Sequence, residues 1–327
     1  MLKKKLASFY FKTLIIIFFF ILSCDFIYSN LSKNFYSFDF DDPQSRIYKN
    51  FRPNLKEIYI SPVYGKTIFC TDNNGFRNNC TNSTEKKFDY LLIGNIFTEG
   101  AELPFEDTFV GQIKDNSSLK FANLGSRNLD MHGINRKLSD VVKNNHVEFK
   151  EVILFVGPRF FKKDSNSKNL IIQKKNQIDF KKFINKNFYL LNKSYHWFLF
   201  QANKTKIWAY SKNNHYASNI DITSSFKHYL NNIFLELKQN DKKLSIVTYP
   251  YPYHFLYKDF NNKHIYYLED FCKNKCNFFI DIYPEFYFKI KEKNIWKFIQ
   301  KIYLTYSVHF NKYGNQIIAE TVIKNLR

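Results

Sequence analysis

Glycine and proline are scarce in this chain, with nine and eight among 327 residues. Their scarcity excludes a collagen-like or Gly-rich low-complexity protein, and it makes the place of each glycine informative. Acidic residues are also few, 29 Asp and Glu against 49 Lys and Arg, a formal net charge of +20. No heptad pattern or series of long apolar runs occurs, which excludes a coiled coil and a polytopic membrane protein. What is present is a 45% hydrophobic content with 37 Phe and 23 Tyr, ample for a folded core and unlike a disordered chain. Phe, Tyr, Ile, Lys and Asn crowd the sequence as AT-rich coding would make them. A lysine-rich surface therefore reflects mutational drift as much as a binding face. The length fits two domains or one large α/β domain.

Lys3, Lys4, Lys5 and Lys12 precede the apolar run Leu14–Leu22, and no acid occurs before Asp25. That is the charged and apolar order of an export signal. The run is short for a membrane-spanning helix, which needs about 20 apolar residues. Ile21-Leu22-Ser23-Cys24 resembles a bacterial lipoprotein box, with lipid on Cys24. Residues 1–23 are read as a signal peptide or membrane anchor, and the lipoprotein and the uncleaved signal anchor stand as alternatives. Either leaves the rest of the chain on the extracytoplasmic, periplasmic side of a bacterial envelope, tethered to the membrane and, without residues 1–23, at a net charge of +16.

Four further cysteines form two local pairs, Cys70 with Cys80 and Cys272 with Cys276. An oxidising compartment permits both as disulfides. The competing reading, four thiolates around one metal, lacks a histidine at a usual zinc spacing, so no metal and no cofactor is expected.

Residues 24–85 are polar and aromatic and read as an irregular extension. From Phe88 onward, short apolar runs alternate with amphipathic stretches. Tyr90–Ile93, Leu119–Ala122, Val152–Val156, Leu244–Tyr249 and Phe278–Ile282 read as buried strands. Helices are expected over Phe105–Ile113, Gly133–Lys143, Ile222–Leu237 and Lys312–Leu326. The pattern predicts a three-layer α/β/α sandwich with a five-stranded parallel sheet over residues 86–327, with an insertion at about 160–216. In such sheets ligands bind beyond the carboxyl ends of the strands. Gly94, Gly100, Gly125, Gly157 and Gly314 lie at or beside those points and the start of the last helix.

The segments at those points resemble the blocks of bacterial SGNH/GDSL hydrolases. Gly94-Asn95-Ile96-Phe97-Thr98-Glu99-Gly100, followed by Phe105-Glu106-Asp107-Thr108-Phe109, is similar to the first block, Gly-Asp-Ser-Phe-Thr-x-Gly. Asn123-Leu124-Gly125 resembles the second, and Gly157-Pro158-Arg159-Phe160 the third, usually Gly-x-Asn-Asp. His309-Phe310-Asn311-Lys312-Tyr313-Gly314 resembles the fifth, which holds the catalytic histidine, and Asn74-Gly75-Phe76-Arg77 matches an upstream segment of exported members. The resemblance covers residues 70–327 and implies a flavodoxin-like fold and O-acyl ester hydrolysis or transfer, often on glycans or lipids.

The chemistry implied is degenerate. Ile96 stands at the nucleophilic serine, Asn95 at the aspartate before it, and Arg159 at the third-block asparagine. Tyr306 and Ser307 occupy the places of the acid that orients the histidine, so only His309 of the triad is kept. Thr98 and Ser126 are the nearest hydroxyls. Backbone amides at Ile96 and Gly125, with Asn95, Ser126 and Arg159, form the expected binding set.

Two functions remain open. One is a catalytically impaired protein that binds an anionic or acylated envelope glycan. The other is an active O-acyl esterase or acyltransferase that uses His309 with a non-standard nucleophile. The expected partners are the membrane anchor and acidic or acylated polysaccharide or lipid, not nucleic acid, because an exported chain seldom meets it. Tyr249–His254 sits where it would wall a cleft, and Trp197 and Trp208 lie in the insertion. The remaining histidines, His132, His146, His196, His215, His228 and His264, show no paired metal spacing.

Overall fold

The computed structural model describes residues 2–34, 51–61, 65–81, 83–127, 129–144, 147–161, 188, 191, 194, 222–258, 262–289, 292–305 and 307–326. Most of the insertion expected at 160–216 lies outside these residues, as do Trp197, Trp208 and Tyr306. The chain divides into two compact units, one of Met1–Ser37, Ile60–Gly65 and Asp164–Lys204, the other of Phe38–Tyr59, Lys66–Lys163 and Thr205–Arg327.

In the first unit, helix α1 runs without a break over Leu2–Asn34. Its stretch Phe9–Tyr28 has a mean hydropathy of 2.0 over 20 residues. At 1.5 Å per residue that is about 30 Å, the thickness of a bilayer's hydrocarbon. The apolar stretch thus extends beyond the Leu14–Leu22 run, because Ser23, Cys24 and Asp25 do not interrupt the helix. Asp25 is buried and accepts a hydrogen bond from the Leu191 N–H at 3.1 Å. A membrane anchor and an export signal both fit such a helix.

The sheet lies in the larger unit but for Ile60, Ser61 and Gly65. Its strands are β1 (Lys56–Ser61), β2 (Gly65–Thr71), β3 (Arg77–Asn78), β4 (Lys87–Ile93), β5 (Phe121–Asn123), β6 (Glu148–Val156), β7 (Lys243–Thr248) and β8 (Phe279–Asp281). Their order is β1-β2-β3-β5-β4-β6-β7-β8. Strands β5-β4-β6-β7-β8 are parallel throughout, with Leu91 opposite Ala122, Ile93 opposite Leu154, Val156 opposite Thr248 and Val247 opposite Ile280. Counted among themselves these five follow the order 2-1-3-4-5 of flavodoxin-like sheets. The parallel core matches the expectation from sequence.

The eight-stranded extent does not match it. Residues 24–85 were expected to be irregular, yet β2 and β3 pair antiparallel and β3 continues antiparallel onto β5. A disulfide joins Cys70 to Cys80 across this edge, and a second joins Cys272 to Cys276. Among the described residues Cys24 is the free cysteine.

Helices cover both faces. On one, α4 (Met131–Asn144), α5 (Ser224–Gln239) and α7 (Lys263–Cys272) press Ile134, Leu138, Leu230, Ile233 and Leu268 onto Leu91, Ile93, Val152, Leu154 and Ile246. On the other lie α3 (Phe109–Asp115) and α10 (Lys312–Lys324), with the Phe109 ring 4.5 Å from that of Phe155. The alternation of β6 explains the split: Val152, Leu154 and Val156 face one way, Ile153 and Phe155 the other. The remaining helices are short: α2 (Ile96–Glu99), α6 (Pro252–Leu256), α8 (Tyr283–Lys289) and α9 (Ile295–Ile302).

A buried charge cluster fixes the segment that leaves β4. Glu99, fully buried, takes both the Nε and Nη2 of Arg127 on one oxygen at 3.0 and 2.8 Å, and the Arg127 backbone N–H on the other. Arg77 on β3 donates to the carbonyls of Glu99 and Leu103 at 2.7 and 2.8 Å, and its guanidinium lies 4.7 Å from the centre of the Phe69 ring. Burial pulls Arg77 down to about 10, against the opposing pull of Glu99. Each end of the segment 99–103 is thus tied to one buried guanidinium.

Lys137 on α4 is the costly member of this cluster. It is 2% exposed. Burial lowers its ammonium to about 8, with the charge of Glu99 pulling the other way. Between about 8 and the usual lysine value of 10.5 the unfolded chain holds more protons than the folded one, so stability rises with pH across that window. Lys137→Met, similar in length and without the charge, is predicted to stabilise the fold near neutral pH by about 1–3 kcal/mol and to flatten that rise. Thermal melts of both proteins across the window check this; a variant that melts lower at neutral pH contradicts it.

Candidate functional site

The chain turns sharply after β4. Asn95 caps α2, its Oδ1 accepting from the Phe97 N–H at 3.1 Å and from the Tyr249 O–H at 3.1 Å. Gly100 ends α2 with φ of 60°, in the left-handed region that glycine enters freely. Gly125 lies against the turn, where a Cβ would stand 2.3 Å from the Glu99 nitrogen and 2.4 Å from the Thr98 carbonyl carbon. No other residue fits there without moving the backbone. Gly125 is therefore explained by contact between these two loops, and Gly100 by its left-handed backbone.

Across the turn, Asn311 caps α10 by accepting from the Gly314 N–H at 2.9 Å. Asn315 ties that helix to α3, accepting from the Phe109 N–H at 3.0 Å. His309 is held just ahead of the cap. Its carbonyl accepts from the Leu304 N–H at 2.9 Å, and its own N–H donates to Ser307 Oγ at 3.1 Å. The Phe97 ring meets the imidazole edge to face at 4.8 Å.

The main finding at the site is the partner of His309. Nδ1 lies 2.9 Å from Oε2 of Glu102 and 3.1 Å from Ser307 Oγ. The side chains of His309 and Glu102 are 18% and 20% exposed. Sequence reasoning found no acid to orient this histidine, because it searched the places before it. The acid comes instead from the loop after α2. Nothing in local spacing signals it, since the two residues are 207 apart in sequence.

Between them is a small cleft with a volume of about 20 Å3, enough for a water molecule. Ile96, Phe97, Glu102, Leu304, His309 and Phe310 are among its walls. Ile96, at the nucleophile position, thus faces the same space as the imidazole. The other expected binding residues lie elsewhere. Asn95 and Ser126 are buried, and the Ser126 N–H donates to the Gly94 carbonyl at 3.2 Å. The Gly125 N–H donates to Asn123 Oδ1 at 2.8 Å, so it is engaged and does not aim at a ligand. Arg159, on the 3-10 turn Pro158–Phe161, is exposed and does not line the cleft.

Neither substitute hydroxyl reaches the histidine. Thr98 is fully buried, and its Oγ1 has no hydrogen-bond partner. A Cβ at Gly94 would lie 2.2 Å from that oxygen, which places it beneath the turn. Ser307 approaches Nδ1, the face already used by Glu102. Nε2 of His309 makes no hydrogen bond among the described residues. Tyr251 and Tyr249, expected to wall a cleft, are buried beneath Phe97 at 5.3 and 4.8 Å. Among the described residues no group of His, Cys, Asp and Glu is arranged to hold a metal.

No family model matches the sequence, and no curated protein matches it. Several solved structures are similar in fold, three of them as follows. One is a lipolytic protein of the G-D-S-L family from Desulfitobacterium hafniense, 13% identical, covering 74% of this chain and 100% of its own at a TM-score of 0.41. Another, from Veillonella parvula and of the same lipolytic family, is 12% identical and covers 73% of this chain and 97% of its own at 0.43. The third is the Clostridium thermocellum family 3 carbohydrate esterase, 12% identical, covering 74% and 99% at 0.37. The fold of the chain is read from its own sheet order, a flavodoxin-like α/β/α sandwich with three added antiparallel-side strands.

Proposed function

We propose that this chain is a membrane-tethered, extracytoplasmic protein of SGNH-hydrolase-like fold whose covalent serine route is closed. Its cleft takes up the acyl group of an acylated envelope glycan. The observation that carries this reading is Ile96, an apolar residue lining the cleft where a hydroxyl would be needed, with no hydrogen bond to Nε2 of His309 among the described residues. Acyl-enzyme chemistry requires a nucleophile beside its base, and the described residues supply none there.

The ligand class follows from the walls. Phe97, Ala101, Leu103, Leu304 and Phe310 are apolar, walls that suit the methyl end of an acyl group at the cleft mouth. An acylated ligand is favoured over an anionic one, because Glu102 brings a carboxylate into the cleft while Arg159 stays outside it. The stretch Phe9–Tyr28 supports tethering as an uncleaved anchor, since Cys24 lies within a continuous helix. Both disulfides support export. The second reading, an active esterase or transferase with a nucleophile from outside the chain, is favoured by the contact of Glu102 with His309.

The test uses the full chain in detergent micelles with a fluorophosphonate that reacts with activated serines. No covalent adduct is expected by mass spectrometry, and an adduct on any serine or threonine near the cleft contradicts the closed route. Titration with O-acetylated and de-O-acetylated oligosaccharide tests the ligand. Preference for the acetylated form is expected; equal affinity removes the acyl group as the recognised feature.

A further inference from the structure

We infer that Glu102 and His309 form a general-base pair that activates a water molecule in the cleft, hydrolysing an ester there in a single step without an acyl-enzyme. The inference rests on the closed serine route and names what replaces the missing nucleophile.

Hydrogen-bond chemistry sets the direction. A carboxylate accepts, so the 2.9 Å contact makes Nδ1 the donor to Glu102. The neutral imidazole then keeps its lone pair on Nε2, the nitrogen without a partner among the described residues. Four contacts fix the ring and its backbone: Glu102, Ser307 Oγ, the edge of Phe97 and the Leu304 N–H. A base held in this way can act without a reorganisation cost. The cleft it lines has room for a water, and Ile96 closes the side from which a serine would act.

The step balances without a co-reactant. Water oxygen attacks the acyl carbonyl carbon while its proton passes to Nε2 of His309. The carbon–oxygen bond to the alcohol breaks, and the imidazolium returns the proton to the leaving alkoxide. The products are a carboxylic acid and the free hydroxyl of the glycan. His309 is the catalytic residue; Glu102 is a positioning residue acting through it. The engaged Gly125 amide leaves the developing oxyanion without that donor, so the reaction is slow beside serine-dependent hydrolysis.

The full chain in detergent micelles is assayed for acetate release from an O-acetylated oligosaccharide and from a short p-nitrophenyl ester, with and without fluorophosphonate. Release indifferent to the phosphonate is expected from the native chain, with a fall of roughly 10²–10⁴-fold in His309→Ala, the range of general-base catalysis. Glu102→Gln is expected to lower kcat with little change in KM, and Glu102→Asp to restore part of it, while all variants melt alike. No release above the His309→Ala level on either ester overturns the inference and leaves the closed serine route standing. Release abolished by phosphonate, with an adduct, overturns the reading on which it rests. A native kcat in Glu102→Gln removes Glu102 from the base.

Discussion

Everything at the candidate site depends on a carboxylate that never meets the cleft. Glu99 is buried at the base of the turn after β4 and would be strongly destabilising alone. Arg127 neutralises it through a two-pronged contact, and Arg77 holds the carbonyls of Glu99 and Leu103 at the two ends of the segment that follows. The result is a rigid segment between two fixed carbonyls. Glu102 projects from that segment, so its placement against His309 is a consequence of a charge cluster one turn away. Lys137 adds a further buried cation to the same place, which explains why the cluster binds these loops tightly while one of its members carries a cost.

Two changes at the site compensate in one respect and not in another. The positions that would orient the histidine hold Ser307 and Tyr306, the latter outside the described residues, but Glu102 supplies a carboxylate to Nδ1 from the opposite loop. The orientation of the imidazole therefore survives a change in which segment provides the acid. Among the described residues no hydroxyl is bonded to Nε2 of His309, and Thr98 is sealed under Gly94. The imidazole thus has a carboxylate partner on Nδ1 and, among the described residues, no hydroxyl on Nε2.

The parallel core was legible because strands buried on both faces read as continuous apolar runs, as in Leu91–Ile93 and Val152–Val156. The added strands β1, β2 and β3 were not, because they lie at an edge and lack continuous apolar runs: β1 and β2 mix Lys, Glu and Thr with aromatics, and β3 is only Arg77-Asn78. The membrane-length helix was underestimated because Asp25 looked like its end, whereas the carboxylate finds the Leu191 N–H. The block glycines were readable from their scarcity, and the structure gives a separate reason for each of two: the left-handed φ of Gly100 and the close approach of Gly125 to the backbone of Thr98 and Glu99. Glu102 was illegible: a contact across 207 residues leaves no local pattern, and only the folded chain brings the two side chains together.

The most direct measurement of the central claim, a correctly held base lacking only a nucleophile, is phosphonate labelling of Ile96→Ser in the full chain. The account predicts that this one substitution creates a covalent adduct at position 96, and that adding Glu102→Gln or His309→Ala slows or abolishes it. A folded Ile96→Ser protein that remains unlabelled, or one labelled equally well without Glu102 and His309, would contradict it.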